Sequence, residues 1–140
     1  MALSSDQARK YGGTLKRSYQ PLQASVVVYV GACLSRDAGG EIGPAASGEA
    51  FGGFAIESVT ASSTAGGTSI EVYSKGEIEL VITGLDDNND IGDTVYASDD
   101  NTFTLTAGTT NVAIGKVKDI VNLTDNKAVV AFEADTERSI

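Results

Sequence analysis

The sequence predicts an all-β domain, and three observations carry that prediction. Short runs alternate apolar and polar residues, as in Ser69-Ile70-Glu71-Val72-Tyr73-Ser74 and Thr102-Phe103-Thr104-Leu105-Thr106. Clusters of Gly, Asp, Asn and Ser separate these runs, and the chain holds 16 Gly against 2 Pro. No segment sustains the 3.6-residue apolar period of a long helix. At 140 residues and 41% apolar, the chain has the material for one domain with a real core. The expected architecture is a small β-barrel, β-tulip-like or sandwich domain over residues 23–134. An extended N-terminal arm at 1–22 precedes it, and a polar C-terminal tail at 135–140 follows.

The elements follow in order. Val26-Val27-Val28-Tyr29-Val30 is β-branched and aromatic and too short for a helix, so it reads as a strand that Gly31 ends or bulges. Ala32 to Arg36 is a second short strand, and Asp37-Ala38-Gly39-Gly40-Glu41 is a turn. Gly53 to Val59 is a strand after the loop at Gly43 to Gly48. Ser69–Ser74 and Glu77–Ile82 read as a hairpin closed by Lys75-Gly76. Thr83 to Asp93 is an acidic connector with room for one helical turn. Thr94–Ala97 and Thr102–Thr106 flank a tip at Asp99-Asp100-Asn101. Val112–Ile120 and Lys127–Glu133 are the last strands, joined by a turn at Leu123–Asn126. A faint repeat relates Val28–Val30, Phe54–Val59 and Ile70–Tyr73 to Val95–Ala97, Val112–Val117 and Ala128–Phe132, as two halves of one barrel or sandwich.

Composition closes off several chemistries. The chain has no His, so Ser-His-Asp and Cys-His arrangements and Cys/His zinc sites are excluded. The single Cys33 forms no intramolecular disulfide and reads, between Ala32 and Leu34, as a small buried apolar residue. There is no phosphate loop and no dinucleotide fingerprint. Carboxylates are abundant, but the absence of Trp removes the usual sugar platform of a two-carboxylate glycosidase. In Asp86-Asp87-Asn88-Asn89-Asp90-Ile91-Gly92-Asp93, an EF-hand alignment puts Ile91 where Gly is required and Ala97 where the bidentate Glu belongs. The expectation is therefore a non-enzymatic protein without a cofactor, and the 86–93 loop reads as a solvated acidic loop, with a weakly bound cation among its carboxylates as the alternative. No secretory h-region and no run of 18 apolar residues is present, so synthesis in a cytoplasm and no membrane partner are expected.

The net charge of −9 is unevenly spread. Residues 1–20 hold Arg9, Lys10, Lys16 and Arg17 against Asp6, a local +3, and the remainder holds −12. The acidic body disfavours nucleic acid as a partner. Residues 1–22 show no clean period, which predicts an arm disordered when free. Its candidate partner-binding residues are Arg9, Lys10, Lys16 and Arg17 for an acidic surface, with Leu15, Tyr19 and Leu22 for apolar grip. Folding back onto the chain's own acidic body is the alternative fate of such an arm.

At Gly92-Asp93-Thr94-Val95-Tyr96-Ala97-Ser98-Asp99-Asp100-Asn101-Thr102-Phe103-Thr104, followed by Ile114-Gly115-Lys116-Val117, the chain resembles the capsid decoration (cement) proteins of tailed bacteriophages. Val28-Tyr29-Val30-Gly31-Ala32 and Gly53-Phe54-Ala55-Ile56-Glu57 are similar to the first half of that family's pattern. The resemblance covers most of residues 24–133 and leaves the arm outside. It implies a compact β domain on the exterior of a virion, bound to the major capsid protein and reinforcing the shell. It also implies a homo-oligomer, a trimer in preference to a dimer. A tail or fibre domain is the alternative virion part, though the chain lacks long repeats and a coiled-coil stem.

Overall fold

Strand-forming residues dominate, and the described residues form eleven strands with one turn of 3₁₀ helix. A computed structural model describes residues 2–137. The strands are β1 (Tyr11–Pro21), β2 (Val27–Val28), β3 (Cys33–Arg36), β4 (Ile42–Pro44), β5 (Ala50–Ala55) and β6 (Val59–Thr60). They continue as β7 (Ser69–Thr83), β8 (Thr94–Ala97), β9 (Phe103–Thr104), β10 (Val112–Asn122) and β11 (Lys127–Glu133). The chain is all-β as expected, and of the barrel, β-tulip-like and sandwich forms the sequence allowed, it takes a barrel. β7 pairs with β11, β11 with β10, β10 with β8, β8 with β9, and β9 returns in parallel to β7. That circuit is a closed five-stranded barrel, and closure leaves those strands no free edge where they pair.

β7 organises the molecule. Its even-numbered residues Ile70, Val72, Ser74, Ile78, Leu80 and Ile82 are all buried, so one period of two runs along its length. The hairpin expected at Lys75-Gly76 does not form, and the strand is continuous through it. Gly76 has a φ of 155°, a conformation that residues with a side chain rarely adopt, and a Cβ there would also displace the Leu15 side chain. The second half of β7 lines the barrel core, where Phe54 stacks edge-on against Phe132 at 5.0 Å and Phe51 at 5.5 Å. The first half of β7 contributes Ile70 and Val72 to a second core with Leu22, Leu34 and Ile42. The strand succession β3–β5–β7 echoes β8–β10–β11, but Val28 of the first repeat copy lies in β2 and pairs with β6.

The N-terminal arm is a correction. Residues 11–21 form β1, antiparallel to β7 from Tyr11↔Ile78 to Pro21↔Ser69. Leu22 is fully buried and donates its N–H to the Thr68 carbonyl at 2.8 Å. The arm therefore belongs to the domain, and the domain boundary at residue 23 disappears. The expected tail is likewise held in its first residues. Asp135 takes two hydrogen bonds from Arg36, at 2.8 and 3.3 Å, and its N–H reaches the Phe51 carbonyl. Residues 138–140 of that tail lie outside the described residues, as does Met1 of the arm.

Candidate binding surfaces

The residues singled out in the arm are scattered by β1 rather than gathered into one grip. Leu22 lies in the second core, and Leu15 is partly buried against the barrel core. Lys10 pairs with Glu79 at 3.1 Å and Lys16 with Glu137 at 3.4 Å. Arg17 stacks on Tyr73, 5.3 Å from the ring centroid. Tyr19 stands out at 68% exposure, and Lys10, Lys16 and Arg17 are exposed beside it. Lys10, Lys16 and Arg17 thus contact the chain's own carboxylates and the Tyr73 ring while staying exposed to solvent. β1 carries two register shifts, between Gly12 and Arg17, and exposed Lys16 and Arg17. Bulges and charges of this kind keep an edge from recruiting another strand.

Arg9 has a different role. The segment before β1 lies across the Tyr29–Gly31 loop: the Asp6 carboxylate accepts the Val30 N–H and the Val30 carbonyl accepts the Gln7 N–H. Gly31 makes room for it, since a Cβ there would collide with the Gln7 carbonyl. Arg9 donates Nε to the Gly31 carbonyl at 3.0 Å and Nη2 to Asn101 Oδ1 at 2.7 Å, with its guanidinium over the Phe103 ring. Burial lowers its pKa from the ordinary arginine value. Beneath it lies Cys33, fully buried as expected, its thiol pushed up chiefly by burial.

The Asp99-Asp100-Asn101 tip forms as expected, and its acidic residue is structural. Asp100 is 4% exposed; Oδ1 accepts the Leu3 N–H at 2.9 Å and its carbonyl accepts the Cys33 N–H. Burial raises its pKa from the ordinary carboxylate value, opposed by the Leu3 N–H. Residues quoted for the resemblance thus fasten the N-terminal segment to the barrel.

The acidic loop contains the one helical turn among the described residues, Asn88–Asp90. Its carboxylates serve its own backbone: Asp87 caps Asn89 N–H at 2.7 Å, and Asp90 Oδ2 accepts the Asp86 N–H at 2.7 Å. Among the described residues there is no group of three or more side chains placed to hold a metal ion.

Two further surfaces escaped the sequence reading. A cleft of about 600 Å³ crosses the outer barrel wall, floored by Gly76, Ala113, Gly115 and Ala131 and rimmed in part by the Lys75–Glu133 ion pair. Small residues on several strands lack a shared sequence period, so nothing local announces it. The second surface is the far end of the barrel, where Val81 is 58%, Val121 47% and Leu123 40% exposed. Register shifts on either side of Ile120 twist the β10–β11 hairpin there. Compared with known proteins, the chain matches no family model, no curated protein and no solved structure.

Proposed function

We propose that this chain is a structural virion protein that binds the outer surface of a tailed-phage capsid and reinforces it, in several copies and without catalysis. The observation that carries the reading is the use made of the residues behind the resemblance. Thr94–Ala97 and Phe103–Thr104 are barrel strands, and Ile114–Val117 forms the β10 wall between β8 and β11. Asp100 and Asn101 bind the N-terminal segment. The shared pattern is thus a scaffold, as a clamp requires. Many copies on a lattice let weak single contacts add to firm attachment. The major capsid protein is the proposed partner, and self-association on the shell, as a trimer, comes with the resemblance. The test is to label the protein, mix it with purified heads and with purified tails, and sediment each. Saturable binding to heads supports the reading. Binding to tails alone replaces it with a tail or fibre role, and binding to neither refutes both.

A further inference from the structure

We infer that the barrel end built around the β10–β11 hairpin is a protein-docking surface whose partner presents an apolar centre ringed by Lys and Arg. Naming the capsid shell as that partner rests on the reading above.

Among the described residues, four of the six large apolar side chains that stand exposed lie at this end: Val81, Ile91, Val121 and Leu123. Three of them are neighbours through the sheet. Lys127 pairs with Val81 on one side and with Asn122 on the other, so Val81 lies about two strand widths, roughly 10 Å, from Asn122, the residue between Val121 and Leu123. The Asn126 carbonyl accepts the Ile82 N–H, which seats the turn beside the end of β7. Gly92 donates to the Val117 carbonyl and brings Ile91 to the same rim.

The hairpin also projects. β8 pairs with β10 only as far as Lys116, so residues 118–122 run past that wall with no strand on that side among the described residues. Exposed apolar side chains on a projecting element, ringed by charge, have the anatomy of an interface core and rim.

The rim is mainly acidic. Asp86, Asp87, Asp90, Asp93, Asp119 and Asp125 surround this end, and none of them forms a salt bridge among the described residues. Of the nearby cations, Lys118 is engaged with Glu77, which leaves Lys116, opposite Thr94, and Lys127, between Val81 and Asn122, against six carboxylates. A rim of this sign steers a basic surface and repels an acidic one. A second copy is a poor occupant: each brings a net charge of −9, and Lys10, Lys16 and Lys75 are already paired.

The experiment compares the full chain with two double variants in sedimentation against purified heads, with sedimentation velocity of the free proteins alongside. Val121→Ser/Leu123→Ser alters the hairpin, and Arg17→Gln/Tyr19→Ser alters β1. Circular dichroism and a thermal melt confirm that each is folded, and Leu123→Lys alone serves if the hairpin pair is not. The hairpin change weakens head binding roughly tenfold or more and the β1 change less than about twofold. Equal binding by wild type and hairpin variant overturns the inference and leaves the reading of function standing. Wild type that binds no heads sinks that reading and the capsid partner together. A dimer lost in the hairpin variant, with head binding unchanged, overturns the inference in favour of a second copy.

Discussion

Leu22→Ala separates an arm from an integral strand. Leu22 is fully buried with Leu34, Ile42, Ile70 and Val72, and its N–H and carbonyl engage Thr68 and Gly66. Truncating a leucine at so enclosed a site costs about 3–5 kcal/mol, the lost transfer energy plus the cavity left behind. For a domain of this length that corresponds to a drop of about 10–20 °C in Tm, taking roughly 4 °C per kcal/mol. Tyr19→Ala, only three residues away at 68% exposure, should stay within about 0.5 kcal/mol of wild type. Thermal melts and urea titrations followed by far-ultraviolet circular dichroism read both. If Leu22→Ala melts within about 2 °C of wild type, residues 11–22 are not part of the folded domain and the reasoning fails.

Asp100→Asn keeps an oxygen for the Leu3 N–H but cannot titrate. Burial raises the Asp100 pKa, so its contribution to stability is full below the unfolded value, 3.8, and is lost as pH rises through the folded one. Urea titrations should therefore show wild type losing stability relative to the variant as pH rises from about 3.5 towards 7. Gly115→Ala should destabilise by about 1–3 kcal/mol or more in the same titration, because the added Cβ meets the Ala131 carbonyl of the paired strand. Cys33 should resist a thiol reagent in the native protein and react at once in urea, since it is fully buried with its thiol pushed up.

The strands that were legible are those whose period survives. β11 runs from Lys127 to Glu133 as its alternation predicts, and β8 matches Thr94–Ala97. β1 was missed because its register shifts break the parity. Leu15 packs inward at an odd position, whereas Ser18, Gln20 and Leu22 are the more buried residues at even ones. A period-two pattern cannot be followed across such a bulge. The opposite error occurred in β7, where Lys75-Gly76 resembled a turn although the even-numbered burial continues on both sides. The candidate residues fared as their strand did: Leu15 and Leu22 went inward, Lys10 and Lys16 found carboxylates, and Arg9 became a tie to the tip. The docking end was illegible because Val121 lies at the register shift between Ile120 and Asn122, and no local pattern encodes that shift.

β7 has a further consequence in time. Tyr19 pairs with Glu71 and Leu80 with Ala128, so its two main partners stand about fifty residues before it and about fifty after. During synthesis β7 emerges with β1 already made, and the smaller core of Leu22, Leu34, Ile42 and Ile70 can gather before the rest of the chain exists. The barrel cannot close until β11 arrives. Until then, β7 carries a bare edge from Lys75 to Val81, and the nascent chain is most exposed to mispairing in that interval.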